Sequence, residues 1–287
     1  MVDPLIGSRY QLRLAEKSGA GSEDYSAIYP EDLAYLDGGP GSDQTDIVGY
    51  VHSVEIGSTV DGPGLRYVLF LTGCALRCQY CHNPDTWHLR NGHQVPVADV
   101  MRELSRYADI FRISHGGLTI SGGEPALQPA FVKAIFAECR KLGIHTCIDT
   151  SGFRGDQFSD EELADIDLHI LDIKSGDPEL YQRLTRQPLQ PTLDFAERLS
   201  RLERPVWVRF VLVPGLTDDE DNVARVAEIC AGIRSLERVE ILRFHQLGRN
   251  KWQQLGLHYS LADTPAPSAE LTERVRAQFR ALALPVF

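Results

Sequence analysis

The sequence predicts an α/β fold, a partial (β/α)6 TIM-like barrel of parallel strands with helices outside, and three observations lead to it. Short apolar runs alternate with amphipathic helical segments, which is typical of parallel βαβ units. Six such runs are present, fewer than the eight of a closed barrel. Polar residues follow every run, as expected where the carboxyl ends of parallel strands meet at one face.

The predicted strands are short runs rich in β-branched and other apolar residues. The first, at residues 67–71, reads Tyr-Val-Leu-Phe-Leu. The longest, at residues 206–213, is interrupted only by Arg209. The other four strands are predicted at residues 118–120, 144–148, 168–171 and 239–242.

The predicted helices have apolar residues that recur every three or four positions. Val97, Val100 and Leu104 form one such face. The helix at residues 127–142 is expected to end before Gly143, because glycine is favoured just after a helix terminus. Further helices are predicted near residues 180–184, 193–202, 223–233 and 271–282.

An acidic segment precedes these elements. Residues 1–46 contain nine acidic and three basic residues, so they contribute −6 to the formal net charge of −11. Glycine-rich stretches at residues 19–22 and 38–42 are typical of loosely packed chain. We therefore predict a flexible N-terminal extension over residues 1–46 and one folded domain over residues 47–287.

Charge and hydropathy exclude several classes of function. An acidic chain without a cluster of Lys and Arg is poorly suited to bind a nucleic-acid backbone or an anionic membrane. No apolar run approaches the roughly 18 to 20 residues of a membrane-spanning helix, and the N-terminus lacks the features of a targeting signal. We expect a cytoplasmic protein without nucleic-acid or membrane partners, and a monomer by default.

Six cysteines are too few for a disulfide scaffold in a chain of this length. Cys139 and Cys230 continue the apolar faces of two predicted helices, and Cys147 lies within a predicted strand. Free cysteines in such surroundings are usually buried. These three are therefore predicted to pack in the core.

The other three cysteines are clustered. Cys74, Cys78 and Cys81 have the spacing C-x3-C-x2-C. Three thiolates on one short loop can bind three irons of a four-iron cluster and leave the fourth iron open to a substrate. Structural zinc is the alternative, and one of the histidines that follow would have to supply its fourth ligand. From the spacing alone, both kinds of site stay open.

Further candidates lie where predicted strands end. They are the Ser-Gly-Gly-Glu-Pro segment at residues 121–125, Asp149 with Thr150, Asp172 with Lys174, Arg209, and His245. Each alone could be a helix cap or a solvated turn residue. Because all six strands bring polar residues to the same face, the joint pattern predicts an active site there.

These motifs resemble the radical S-adenosylmethionine enzymes, in which an aromatic residue stands before the last cysteine of the loop. Tyr80 occupies that position. The resemblance narrows to the activating enzymes of glycyl radical enzymes, most closely to those that act on pyruvate formate-lyase. It extends from about Gly49 to the C-terminus and depends on residues 57–66, 81–87, 121–125, 172–174, 208–215 and 245–252.

The resemblance implies a [4Fe-4S] cluster on the three cysteines and a binding site for S-adenosylmethionine. Gly122 and Gly123 can take positive φ or approach a ligand closely, and Glu124 adds a carboxylate, which suits the methionyl ammonium. Lys174 is expected to bind the methionyl carboxylate, although a surface lysine is the commoner case. The position of His245 implies a contact with the same cosubstrate.

Other positions are implied to lie around the cosubstrate. Asp149, Thr150 and Asp172 are the expected ligands of a monovalent cation. Arg209 lies in an apolar strand and needs a buried partner, so a structural ion pair and a role in the site both stay open. Asp61, in an Asp-Gly-Pro-Gly turn, is implied to contact the backbone of a polypeptide substrate.

The implied reaction begins with one-electron reduction of the cluster, for which the family implies reduced flavodoxin or ferredoxin as the donor. S-adenosylmethionine is then cleaved to methionine and a 5′-deoxyadenosyl radical. That radical removes hydrogen from a backbone glycine of the partner, pyruvate formate-lyase. The protein's share is to position the reacting atoms and to exclude water and oxygen.

Three alternatives remain. Activases of other glycyl radical enzymes often carry additional ferredoxin-like cysteine sets, and no further C-x2-C spacing occurs here. A radical S-adenosylmethionine enzyme acting on a small molecule would share the cysteine loop but not the segment at residues 245–252. A metal-stabilised binding module without enzymatic activity is disfavoured by the ordered site, since function must be inferred from the site.

Overall fold

The computed structural model describes residues 47–287, so the predicted extension at residues 1–46 lies outside the described residues. The strands are β1 (Val48–Ser58), β2 (Arg66–Leu71), β3 (His93–Pro96), β4 (Gly117–Gly122), β5 (His145–Thr150), β6 (Leu168–Asp172), β7 (Val206–Leu212) and β8 (Leu236–Arg243). They form one sheet in the order β3-β1-β2-β4-β5-β6-β7-β8.

Six neighbouring strands of this sheet, β2 and β4 to β8, are parallel. They correspond one for one to the six predicted strands. Within the described residues the sheet begins at β3 and ends at β8, which do not pair with each other, so it does not close into a barrel. The predicted fold class, a partial barrel of parallel strands with outer helices, is therefore confirmed.

The antiparallel strands β1 and β3 were not predicted. Strand β1 pairs with β2 through a register that shifts twice, between Val51 and Ser53 and between Ile56 and Ser58. Such irregularities break the two-residue alternation by which a strand is recognised in a sequence. Strand β3 has only four residues and ends in Pro96, which is typical of an edge strand.

Helices cover the connections between the strands. They are α1 (Val97–Leu104), α2 (Ala108–Ser114), α3 (Pro129–Lys141), α4 (Asp160–Ala164), α5 (Pro178–Thr185), α6 (Gln190–Arg201), α7 (Glu220–Ala231), α8 (Arg249–Gln254) and α9 (Ala269–Ala281). The sequence did not predict α2, α4 and α8, which have seven, five and six residues and are too short for a clear periodicity. Gly143 follows α3 with φ +64°, as expected for a helix end.

The C-terminal residues cover part of the β8 edge. The amide of Val239 donates to the carbonyl of Pro285 at 2.8 Å, and the amide of Phe287 donates to the carbonyl of Val239 at 2.9 Å. This pairing satisfies backbone groups that an exposed edge would leave open to other chains. No helix in the described part of the chain combines the length and the apolar character needed to cross a membrane.

The main core lies between the sheet and its outer helices. Cys139, Cys147 and Cys230 are fully buried, as predicted, and burial raises the pKa of each thiol. A second hydrophobic cluster lies under the loops that follow the strands. Its largest members are Leu76, Trp87, Phe244, Trp252 and Tyr259. This second cluster packs beneath the cysteine loop and supports it.

Candidate active site

The cysteine loop follows β2 and is held by backbone hydrogen bonds from several segments. The Cys74 amide donates to the Trp87 carbonyl at 3.0 Å, and the Arg77 amide donates to the Thr185 carbonyl at 2.8 Å. The Arg77 guanidinium folds back over its own loop and donates to the Cys74 carbonyl at 2.6 Å. These three hydrogen bonds, none of which involves a cysteine side chain, help to set the conformation of the loop.

All three clustered cysteines line one cavity of about 520 Å³ at the carboxyl ends of the parallel strands. Burial raises the pKa of Cys74, Cys78 and Cys81 to about 12, and the neighbouring thiols add to the effect. In residues 47–287, no three His, Cys, Asp or Glu side chains are grouped tightly enough for a single metal ion. The thiolates of a four-iron cluster each bind a different iron and need not converge on one point.

The same cavity collects most of the other predicted site residues. Besides the cysteines, its lining includes Tyr80, Gly122, Gly123, Asp149, Thr150, Asp172, Lys174, Arg209 and His245. Glu124 and Asp61 are not part of the lining. Because these residues come from the ends of different strands, the parallel topology brings them together.

Gly122 has φ +117°, a conformation that other residues rarely adopt. A Cβ at this position would lie 2.3 Å from the backbone nitrogen of Leu71, and one at Gly123 would lie 2.2 Å from the carbonyl oxygen of Gly73. The glycine pair therefore allows the end of β4 to pack against the chain that leads into the cysteine loop. Both glycines also line the cavity.

Glu124 is buried, and its carboxylate is already used by the protein. One oxygen accepts from the Thr150 hydroxyl at 2.6 Å and from the Ala126 amide at 3.1 Å. The other accepts from the amide and the hydroxyl of Ser151. These four donors connect the loop after β4 to the end of β5, so the carboxylate acts as a structural link between two walls of the cavity.

Lys174 and Asp172 form an ion pair at the end of β6, with Nζ 2.6 Å from Oδ2. The ammonium also lies 5.9 Å from the centre of the Tyr80 ring. Burial alone would lower the pKa of Lys174, but the Asp172 carboxylate, together with Tyr80 and Cys78, reverses that effect and raises it well above its usual value. A charged ammonium is thus maintained in the cavity, with Asp172 as its partner.

Arg209 lies on β7 and joins several carboxylates. Its guanidinium is 2.9 Å from Glu240, 3.4 Å from Asp149 and 3.6 Å from Asp61, and it also donates to the Val60 carbonyl. Burial would lower the pKa of Arg209, but Asp149 and Glu240 reverse that effect and raise it. The side chain therefore both forms a buried ion-pair network and lines the cavity.

Asp149 has one paired and one unpaired oxygen. Its Oδ2 accepts from the Ser121 hydroxyl at 2.7 Å and from Arg209, while Oδ1 is buried and has no hydrogen-bond partner in the described structure. Burial raises the pKa of this carboxyl to about 6, and the nearby Asp172 contributes to the rise. A buried acceptor left without a partner costs free energy, so Oδ1 is suited to receive a ligand.

Asp61 lies in the turn between β1 and β2, at the margin of the cavity. Its carboxylate accepts from the Ser58 hydroxyl at 2.6 Å, and its carbonyl accepts from the Thr119 hydroxyl at 2.6 Å. The neighbouring Val60 lines the cavity yet is 70% exposed. The turn thus forms a solvent-accessible side of the cavity, anchored to β4 and β7.

His245 follows β8 and lies beside His82, with 4.3 Å between the ring centres. Its Nδ1 accepts from the Leu247 amide at 3.4 Å, which leaves Nε2 as the donor. Burial, with His245 adding to it, lowers the pKa of His82 to about 4. His82 is therefore neutral near neutral pH.

Some residues of the site were missed by the sequence reasoning. Glu240, which holds Arg209, was not among the candidates, and Ser121 lay in the predicted segment at residues 121–125 without its contact to Asp149 being predicted. Glu240 is opposite Arg209 in the register of β7 and β8, a pairing that no local pattern predicts. The available signal was a single acidic residue within the otherwise apolar run predicted as a strand at residues 239–242.

A further missed group lies behind the cysteine loop. Asp85 is buried and contacts His52 Nε2 at 2.9 Å and Lys251 Nζ at 3.0 Å. Burial would raise the pKa of Asp85, but the hydrogen bond from His52 and the charge of Lys251 lower it overall. These contacts tie β1 and α8 to the segment after Cys81, so they support the loop from the side away from the cavity.

The residues present are suited to a thiolate-bound cluster and a polar cosubstrate. Three thiols line the cavity, and thiolates are the usual protein ligands of iron–sulfur clusters. The hydroxyl of Tyr80 and Oδ1 of Asp149 are buried without a partner among the described residues. Both side chains line the same cavity, so a bound molecule with complementary groups would satisfy them.

A family model and curated relatives both place this chain in the same family. The model of the Radical SAM superfamily matches residues 68–227. The chain is 47% identical over 239 residues to the pyruvate formate-lyase-activating enzymes of Staphylococcus aureus strains USA300 and NCTC 8325 / PS 47. Each alignment covers 81% of this chain and 94% of the relative.

Solved structures share the fold. A domain of pyruvate-formate lyase-activating enzyme from Bacteroides vulgatus ATCC 8482 has a TM-score of 0.50 at 24% identity and covers 60% of this chain and 98% of that chain. Streptococcus suis SuiB bound to S-adenosylmethionine has a TM-score of 0.56 at 19% identity, covering 75% of this chain and 47% of SuiB. SuiB bound to its precursor peptide SuiA has a TM-score of 0.58 at 18% identity, covering 79% and 48%.

Proposed function

This chain belongs to the radical SAM superfamily and, within it, to the pyruvate formate-lyase-activating enzymes, and on that premise we propose that it activates pyruvate formate-lyase by forming a radical on a backbone glycine of that enzyme. The observation that carries the proposal is the cavity in which three thiols, a charged lysine and unpaired polar atoms meet. Its margin at Val60 is open to solvent, which is compatible with entry of a polypeptide.

Cys74, Cys78 and Cys81 are the proposed ligands of a [4Fe-4S] cluster. When bound, the cluster and S-adenosylmethionine supply a 5′-deoxyadenosyl radical that can abstract hydrogen from glycine. The cysteine loop is positioned for this by its backbone hydrogen bonds to residues 87 and 185. The packed cluster beneath it, which includes Leu76 and Trp252, excludes water from the protein side of the loop.

Lys174, after the end of β6, and His245, after the end of β8, are the proposed contacts to S-adenosylmethionine. The ammonium of Lys174 keeps its charge through Asp172 and retains N–H donors for the methionyl carboxylate. The Nε2 group of His245 is available as a donor on the other side. Tyr80 and the backbone of Gly122 and Gly123 complete the proposed contacts along the cavity wall.

We propose that backbone groups of the segment at residues 121–125, and not the Glu124 carboxylate, bind the methionyl ammonium. That carboxylate already accepts four hydrogen bonds. Removing it would leave the donors of Thr150 and Ser151 unsatisfied, which costs free energy in a buried position. We therefore assign Glu124 a positioning role in the proposed site.

A monovalent cation near Asp149, Thr150 and Asp172 is a further part of the proposal. The unpaired Oδ1 of Asp149 supports it, since carboxylate oxygens are preferred ligands of hard cations. The Asp172 carboxylate is already paired with Lys174, and the Thr150 hydroxyl already donates to Glu124. Of the three predicted ligands, Asp149 is the one with a buried side-chain oxygen that has no partner among the described residues.

We propose that Lys174 and His245 each contribute to cosubstrate affinity. Losing a hydrogen bond that involves a charged group costs on the order of 1.5 to 3 kcal/mol, so Lys174→Ala is expected to raise the Kd for S-adenosylmethionine about tenfold or more. His245→Ala is expected to weaken binding in the same direction. Equilibrium binding to reconstituted protein measures the effect.

The control for this prediction is Lys133→Ala. Lys133 pairs with Glu162 on the outer surface and does not line the cavity, so its loss should leave the Kd unchanged. If both Lys174→Ala and His245→Ala bind the cosubstrate as tightly as the parent protein, the proposed contacts are wrong.

The electron donor is proposed to be reduced flavodoxin or ferredoxin, which are small carriers rich in acidic residues. The outer side of the cysteine loop is hydrogen-bonded to the end of α5, through Gln79 Nε2 to the Arg183 carbonyl at 3.1 Å and through Gln187 Nε2 to the Ala75 carbonyl at 2.8 Å. Residues 74–84 and 181–193 contain arginines but no acidic residue, although the chain as a whole is acidic. This surface suits an acidic carrier that docks close to the loop.

Reversing the charge at Arg183 tests the proposed docking surface. Arg183→Glu is expected to slow cluster reduction by reduced flavodoxin about tenfold at low ionic strength, because steering by complementary charges accelerates association. Reduction by dithionite, which needs no docking, should be unchanged. Arg234→Glu, on the exposed segment before β8 at the other end of the sheet, is the matched control. Equal rates for Arg183→Glu and the parent protein with flavodoxin would exclude this surface.

The proposed function is tested by electron paramagnetic resonance on a mixture of this protein, S-adenosylmethionine, reductant and pyruvate formate-lyase. A glycyl radical doublet on the partner is the expected result. If the protein has an intact cluster and cleaves S-adenosylmethionine but never yields the doublet, it acts on another substrate. Repeating the assay with a different glycyl radical enzyme then distinguishes the nearest alternative.

A further inference from the structure

Two tryptophans enclose Cys81, the last cysteine of the loop. Trp87 follows it in the same loop, and Trp252 comes from α8. Their rings meet edge to face, with 5.3 Å between centres and an interplanar angle of 89°. Both side chains are almost fully buried, at 2% and 6% exposure. In the proposed function Trp252 so far only helps to exclude water from the loop, and Trp87 has no role.

The two indole N–H groups bind different atoms of Cys81. The Trp87 side chain donates a hydrogen bond to the Cys81 sulfur, as does the backbone amide of Asn83. The Nε1 of Trp252 donates instead to the Cys81 carbonyl oxygen at 2.8 Å. The pair therefore offers two similar donors, of which only Trp87 addresses the atom that would bind iron.

The orientation of each indole is held by its neighbours. The Arg77 guanidinium lies over the Trp87 ring, 5.0 Å from its centre, and is itself anchored on carbonyls of the cysteine loop. The Trp252 ring stacks on Tyr259 at 5.0 Å. Neither donor can turn away from Cys81 without disturbing a buried contact. The N–H···S contact is thus held in place by the packing around the indole as well as by the hydrogen bond itself.

We propose that Trp87 is a positioning residue that acts through Cys81 and makes the cluster easier to reduce. A hydrogen bond to a ligating sulfur withdraws charge from the cluster and stabilises its reduced form, which carries more negative charge. The same donor placed on a backbone carbonyl lacks this direct effect. This inference rests on the proposed function, since it requires the cluster on the three cysteines.

Trp87→Phe and Trp252→Phe form a matched pair for the test, because each keeps an aromatic ring and removes one N–H. After anaerobic reconstitution, the fraction of reduced cluster is followed by electron paramagnetic resonance at fixed solution potentials. Trp87→Phe is expected to lower the ratio of reduced to oxidised cluster about tenfold, equivalent to about 59 mV for a one-electron couple. Trp252→Phe should change the ratio by less than about threefold, which corresponds to less than about half of the 59 mV shift in potential.

Three outcomes would overturn the proposal. An unchanged ratio in Trp87→Phe with full iron and sulfide content shows that the donor does not affect the cluster. A shift of the same size in Trp252→Phe shows that packing, and not the sulfur contact, sets the potential. Absence of a cluster in the parent protein contradicts the proposed function itself, so the two failures are distinguishable.

The parent protein also allows a direct measurement of the contact, which does not require the Trp87 variant to fold. Tryptophan labelled with ¹⁵N in the indole is incorporated, and the reduced cluster is studied by pulsed electron–nuclear resonance. A ¹⁵N coupling transmitted through the N–H···S contact is expected, and it should persist in Trp252→Phe. Absence of this coupling in a parent protein that carries the reduced cluster would refute the contact between Trp87 and the cluster ligand.

Discussion

Cys78→Ala is expected to abolish reductive cleavage of S-adenosylmethionine, with product falling below detection, and the same holds for Cys74→Ala and Cys81→Ala. Each thiol lines the same cavity, and each would supply one thiolate to a different iron. In the described part of the chain the other three cysteines are fully buried and do not line this cavity, Cys139 and Cys230 in the main core and Cys147 in a smaller apolar cluster. No spare thiol can therefore take over without refolding the loop.

Cys230→Ala is the matched control for the cysteine variants. Cys230 lies on α7 and is fully buried in the core, so the substitution should cost some stability and leave the cluster in place. Iron and sulfide analysis, the cluster absorbance and a cleavage assay under anaerobic conditions measure the difference. A well-folded single variant of the trio that retains cluster-dependent cleavage would disprove the assignment of that cysteine.

Asp61→Ala is expected to lower the rate of glycyl radical formation on pyruvate formate-lyase about a hundredfold, because errors of about 1 Å in positioning can have effects of this size. Asp61 lies at the margin of the cavity beside the exposed Val60, where a polypeptide can approach. Uncoupled cleavage of S-adenosylmethionine should stay within about twofold of the parent rate. Arg209 keeps Asp149 and Glu240 as partners when Asp61 is lost, so its place in the cavity is preserved.

Two further variants serve as controls for Asp61→Ala. Asp61→Asn keeps the shape and an acceptor for the Ser58 hydroxyl, and so tests whether the charge is required. Asp109→Ala removes an exposed carboxylate on α2 and should change nothing. If uncoupled cleavage falls as much as radical formation, Asp61 acts on the cosubstrate through Arg209. If neither falls, Asp61 has no role in the reaction.

The six parallel strands could be predicted because each is a short apolar run, and burial on both faces of a parallel sheet requires such runs. The predicted strand at residues 206–213 corresponds closely to β7 (Val206–Leu212). The bulged β1 lacked a regular alternation, so its pairing with β2 and β3 was not visible. Local patterns report local structure, and an irregular antiparallel strand depends on its partners.

In the candidate site, too, some features were predictable from local patterns and others depend on tertiary contacts. The spacing of the cysteine trio and the polar residues after each strand predicted which side chains to consider, and the parallel topology explains why most of them line one cavity. The partners of individual charges could not be predicted. Arg209 contacts Glu240 and Asp61, which are 31 and 148 positions away in the chain.

The sequence by itself determined the class of fold, the cysteine loop and the set of polar strand ends, because these depend on neighbouring residues and on simple periodicities. Only the tertiary structure decided that the Glu124 carboxylate faces Thr150 and Ser151 and that an oxygen of Asp149 stays unpaired. It also decided that two indoles meet at Cys81. The physical reason is that a hydrogen bond or an ion pair needs its two atoms within a few ångströms, and that distance is set by strand register and packing.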